Sequence, residues 1–95
     1  MYAIAFDLVL KEVQALHPEQ DPAAAYAEIG QVLGRHGFEW RQGSLYTVDN
    51  DDMANLFAAM MALRRLTWFP RSVREIHAFK VEQWADFTSI VKGGR

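Results

Sequence analysis

Residues 2–8 alternate without a break. Tyr2, Ile4, Phe6 and Leu8 are large and apolar; Ala3, Ala5 and Asp7 between them are small or acidic. A period of two is the signature of a strand with unlike faces, and it sets the first constraint on the fold. The large face has to lie against helices. The small face has to lie against something else, and it ends in a carboxylate.

The rest of the chain supplies those helices. Asp21-Pro22 is a helix start, with an acceptor at the N-cap and a proline at the first helical position. Tyr26, Ile29, Val32, Leu33 and His36 then recur at three and four, and Gly37 stops the helix, so it runs over 22–36. Residues 38–40 and 44–48 read as short strands, joined by a three-residue hairpin turn at Arg41-Gln42-Gly43. Asp49 to Asp52 caps a second helix over 51–65, whose buried stripe is Met53, Leu56, Phe57, Met60 and Leu63. Residues 72–82 read as a strand charged on both faces, as expected at a sheet edge or an interface. Residues 9–20 are expected to be a loop with one or two turns, and Trp68-Phe69-Pro70 an exposed aromatic break. Trp84, Phe87, Ile90 and Val91 mark a weakly amphipathic tail, with fraying over 92–95. The order β-α-β-β-α-β predicts an α+β fold of the split βαβ, or ferredoxin-like, kind: four antiparallel strands with two helices on one face.

Composition narrows the function. Ninety-five residues make one domain, 1–95. Ten Lys+Arg against twelve Asp+Glu leave a formal charge of -2, which excludes binding nucleic acid by bulk charge. No cysteine means no disulfide scaffold, no thiolate metal site and no cysteine nucleophile. No apolar run approaches the ~18 residues of a membrane span. The first residues carry no basic leader, so a cytoplasmic protein is expected. Seven of the ten cations are arginines, whose planar fork suits phosphate.

Three groups could carry chemistry. Asp7 ends an apolar strand on the small face, where an acid could hold a divalent metal, orient a water, or simply cap a turn. Arg41, Gln42, Gly43 and Ser44 with Tyr46 offer a cation, an amide, a close-approach glycine, a hydroxyl and an aromatic ring, enough to hold a phosphate and stack a base, or to make an ordinary hairpin. Arg71, Arg74 and His77 form the third, although Arg74 and His77 fall on opposite faces unless the strand bulges. His17 and His36 make no zinc spacing and are expected in solvent or on a helix face.

Met-Tyr-Ala-Ile-Ala-Phe-Asp-Leu at 1–8, His-Gly-Phe at 36–38, Gln-Gly-Ser-Leu-Tyr at 42–46, Trp-Phe at 68–69 and Val-Arg-Glu-Ile at 73–76 closely resemble the virulence-associated protein D (VapD) family, in order along nearly the whole chain. The resemblance implies a homodimer related to the CRISPR-associated Cas2 proteins. It implies cleavage of RNA, often as the toxin of a pair with an antitoxin protein. A divalent metal held by the strand-end acid Asp7 would be magnesium, and the sequence leaves metal dependence open. The family's first-strand acid falls on Asp7, its hairpin serine and tyrosine on Ser44 and Tyr46; Arg41, Arg71 and Arg74 would hold phosphates. Some members carry a second acid two residues after the first. Here that place is Val9, which speaks against a two-acid metal site within one protomer. Cas2-like dimers also serve as non-catalytic nucleic-acid scaffolds, and that alternative stays open.

Overall fold

The structure is a computed structural model that describes residues 1–93. The fraying expected at the end of the chain falls in part on 94 and 95, outside the described residues. Strand β1 spans Tyr2–Leu8 and is followed by helices α1 (Leu10–Leu16) and α2 (Pro22–Gly34). The hairpin strands β2 (Glu39–Gln42) and β3 (Leu45–Val48) come next, then α3 (Met53–Arg64), the single turn α4 (Phe69–Ser72), β4 (Val73–Lys80) and the short α5 (Thr88–Val91). The strands lie in the order β2-β3-β1-β4, with every neighbouring pair antiparallel. That is the split βαβ arrangement expected from the periodicities, with β1 inside the sheet and β2 and β4 at its edges.

Local chemistry explains the helix limits. Asp21 caps α2 by accepting from the Ala23 N–H, and Asp52 caps α3 by accepting from the Asn55 N–H. Gly37 turns the chain out of α2 with φ +83°, a conformation open to glycine at little cost. Residues 10–16 form a seven-residue helix of about two turns, the upper end of what their sequence promised. Its signal is weak because Val9 caps the helix without a side-chain bond and only Val13 is fully buried.

The core lies between one sheet face and the helices. Ile4, Phe6 and Leu8 meet Ile29, Val32 and Leu33 from α2 and Leu56, Ala59 and Leu63 from α3. Each large side chain so buried is worth roughly 1.5–3 kcal/mol. The stripe expected on α3 needs correction: Met53 and Phe57 are exposed, because the helix meets the sheet through Leu56, Ala59 and Leu63.

The aromatic break is also not what its sequence suggested. Trp68 is 2% exposed and Phe69 is buried beside it. The Trp68 indole N–H donates to Glu28 Oε1 at 2.8 Å, which satisfies its one polar atom. His17 is likewise buried, at the end of α1 and neither in solvent nor on an open helix face. Its Nδ1 accepts from the Glu19 N–H and its Nε2 faces the same Glu28 oxygen at 3.1 Å, so the Nε2–H tautomer fits. The imidazole stands edge-on to Trp68, with centroids 5.0 Å apart. Glu28 thus ties the end of α1, the middle of α2 and the chain after α3 into one knot.

Candidate functional site

The sheet face opposite the helices carries Ala3, Ala5 and Asp7 from β1, Leu45 and Thr47 from β3, and Glu75, His77 and Phe79 from β4. The register pairs them directly across the ladder: Ala5 with Leu45 and His77, Asp7 with Glu75. Asp7 is therefore where the alternation placed it, away from the core and 58% exposed along its side chain.

What sequence reasoning left conditional is settled by a bulge. Asp7 pairs with Glu75 and Leu8 with Val73, so Arg74 is an extra residue on β4 with no partner on β1. The irregularity brings the Arg74 guanidinium within 3.4 Å of Asp7 Oδ2. His77 lies two residues beyond Glu75 on the same face, and Asp7, Glu75 and His77 line one shallow hollow of ≈ 180 Å³. Glu75 is the acid that sequence reasoning missed. The second carboxylate stands across the ladder from Asp7 and not farther along its own strand.

Like charges directly opposite on a sheet are unfavourable, and Asp7 faces Glu75 with Arg74 as the compensating cation. Both ends of the Asp7–Arg74 pair are largely solvated, so it contributes at most about 1 kcal/mol. An arrangement that does so little for the fold, yet sets an acid, a cation and an imidazole on an uncovered surface, is suited to binding and proton transfer.

The hairpin residues divide. The turn is shorter than expected: Arg41 and Gln42 belong to β2, and only Gly43 and Ser44 lie between the strands. Gly43 takes φ +47° at the first central position, the pattern of a type II′ hairpin. Arg41 is the extra residue of a second bulge, between Trp40 and Gln42. Its Nε–H donates to Thr47 Oγ1 at 2.6 Å. Arg41 thus sits at the β2 edge, two strands away from Asp7, and does not join the acid. Gly43 and Ser44 do lie close: they line a hollow with Ala5 and Phe6, residues that also border the Asp7 hollow. Arg71 is exposed on α4, one turn before the bulge, and makes no ion pair among the described residues.

Tyr46 contradicts its expected place. It is 8% exposed and belongs to the core, because the short turn puts Ser44 outside the strand and breaks the parity that linked the two. Its ring stacks near Phe6, with centroids 6.2 Å apart, and a Cβ built on Gly30 of α2 would come within 3.0 Å of its hydroxyl. Tyr46 therefore cannot offer a ring to a base. Burial pushes its phenol above the ordinary tyrosine value. A raised acid gives stability that is complete below the unfolded-state pKa and is lost as pH climbs toward the folded one. Tyr46→Phe is accordingly expected to flatten the fall in melting temperature above about pH 10, the ordinary tyrosine range. Parallel alkaline melts of the two proteins measure it; identical slopes would show that the phenol is not held neutral by the core.

Among the described residues no three of His, Cys, Asp and Glu come together as a metal-binding group. No helix among them is long and apolar enough to cross a membrane.

Fold and surface together define a ferredoxin-like α+β protein whose sheet face opposite the helices carries an exposed charged cluster at its Asp7 end, while Ala3 and Thr47 on the same face are buried. No family model matches the chain. It is 56% identical to the Endoribonuclease VapD homolog of Neisseria gonorrhoeae over 92 residues, which cover 97% of this chain and 99% of the relative. It is 54% identical to Endoribonuclease VapD of Haemophilus influenzae over the same shares, and 50% identical to that of Dichelobacter nodosus over 98% and 99%. The chain belongs to the VapD family.

Proposed function

We propose that this chain is an endoribonuclease that cleaves RNA at the Asp7 cluster. The carrying observation is that its first-strand acid stands uncovered beside Arg74 and His77, while matching relatives bear that activity in their names. Asp7 takes the proton of the attacking hydroxyl, the 2′-hydroxyl of the RNA or a water. Arg74 meets the charge that builds on the phosphate. His77, an imidazole able to give as well as take a proton, serves the leaving oxygen. Gly43 and Ser44 hold the adjoining backbone, and Arg71 extends the cationic side. Tyr46 acts from the core, as the support under β3.

A magnesium ion would draw on Asp7 and Glu75. Two carboxylates suit a cation that keeps several waters and shares a substrate phosphate. Such an ion would neutralise phosphate charge, in competition with Arg74. RNA cleavage gels with and without EDTA separate a metal-ligating Asp7 from a general base. A preparation whose cleavage is the same for wild type and Asp7→Asn would point to contamination and to the scaffold reading.

The working unit is a homodimer in the cytoplasm, and its role is the toxin of a toxin–antitoxin pair. Phe79 and Ala5 leave apolar surface on the sheet face opposite the covering helices. Light scattering at ~10 μM should give twice the chain mass, as for a low-micromolar or tighter dimer; a monomer mass would sink it. Growth arrest on expression, absent for Asp7→Asn, tests the toxin role.

A further inference from the structure

A concavity lies at the opposite edge of the sheet from β4. It is a cleft of ≈ 640 Å³ between β2 and the segment that follows β4. Trp40, Arg41 and Gln42 form one wall; Trp84, Phe87 and Lys92 are on the other. Trp40 is 62% exposed, yet its ring is not free to swing, because its indole N–H donates to the Gly43 carbonyl at 2.9 Å. The Arg41 guanidinium sits 5.5 Å from the Trp84 ring centroid and joins the two walls. Phe87 presents most of its surface to solvent. Two acids stand nearby: Asp86 accepts from the Thr88 N–H and so serves to start α5, and the exposed Glu39 pairs with Arg41 at 3.7 Å.

We propose that this cleft is a stacking subsite for an unpaired nucleobase of the RNA substrate. The inference rests on the endoribonuclease reading and adds to it where the substrate is gripped and in what form. Three rings, at least one held at a fixed angle, give a flat ligand faces to stack on, and sequence-tolerant recognition of single strands works this way. Arg41 and Lys92 match the phosphates that accompany a base. The cleft is also joined to the candidate site. Gln42 borders both the cleft and the Gly43–Ser44 hollow, and Ala5 and Phe6 border both that hollow and the one at Asp7. The track from β1 to β2 crosses two strand spacings, roughly 10 Å, a span that a short stretch of single strand covers. The aromatic partner that Tyr46 was expected to supply is thus found one strand farther out.

The test is binding of a single-stranded, fully 2′-O-methylated hexanucleotide, read by fluorescence anisotropy and by quenching of the tryptophans. Trp40→Ala and Phe87→Ala should each weaken binding by about tenfold, as for the loss of one base stack. Trp40→Phe should recover most of it. A blunt duplex of the same sequence, whose bases are paired, should bind all variants alike. Phe87 makes no side-chain hydrogen bond, so its variant remains informative if Trp40→Ala melts early. Unchanged binding in both variants overturns the subsite. Equal loss on single strand and duplex overturns it too, as does a drop in oligomer mass, which would make the cleft a contact between copies. Cleavage of unmodified RNA by wild type reads the underlying function separately. Wild type that cleaves while the variants bind normally sinks only the subsite, and wild type that binds by stacking but never cleaves sinks only the enzyme.

Discussion

Asp7→Asn is expected to slow RNA cleavage by ~10²–10⁴, the range for a positioned acid or base, and to leave the fold as stable as before. The substitution keeps the shape of the side chain and removes its charge. It takes away a solvated pair with Arg74 worth at most about 1 kcal/mol, and it also relieves the repulsion from Glu75 directly across the ladder. The two changes oppose each other, so the melting temperature should stay put or rise slightly. If Asp7 were only a strand-end cap, Asn would serve as well, and both rate and stability would be unchanged. Rate and melt of this one variant therefore separate a reactive carboxylate from a decorative one. Full activity in Asp7→Asn would end the assignment.

The second large effect concerns stability. Trp68→Ala should cost ~3–5 kcal/mol, the range for emptying the site of a fully buried aromatic. In a chain this short, with total stability of about 5–15 kcal/mol, that brings the protein near unfolding at 37 °C. Trp68→Phe divides the loss. It keeps a ring against Phe69 and His17 but leaves Glu28 without the indole donor, and the bond to a charged acceptor contributes about 1.5–3 kcal/mol. Denaturant melts of the two variants check this. If Trp68→Ala cost under about 1 kcal/mol, Trp68 would be a surface residue, as its sequence neighbourhood suggested.

That contrast shows what was legible in advance. Strand β1 could be read because one period-two stretch separated Ile4 and Phe6 from Ala5 and Asp7, and nothing in the fold disturbed it. The limits of α2 and α3 could be read because Asp21, Gly37 and Asp52 act locally, through bonds to neighbours in the chain. Trp68 and His17 were misplaced because they are buried by packing in the core and against each other, and the Glu28 carboxylate that satisfies their ring nitrogens is 40 residues from one and 11 from the other. Tyr46 was misplaced by a single residue of turn length, since one step of register exchanges the faces of a strand. At the site, Asp7 stood out from its own strand, whereas Glu75 and Arg74 join it only through pairing with β4, which no local pattern records.

The bulge at Arg74 bears on how such a surface can change over time. Val73 and Ile76 are three residues apart, yet both turn toward the helices, because the extra residue between Leu8 and Asp7's partners absorbs one step of the alternation. A β4 shortened by Arg74 would still set Val73 and Ile76 on the buried side, with Glu75 outward between them. The residue is thus dispensable to the architecture and belongs wholly to the display. An insertion of this kind gives a lineage a place to gain or lose chemistry on a sheet while the interior goes on unaltered.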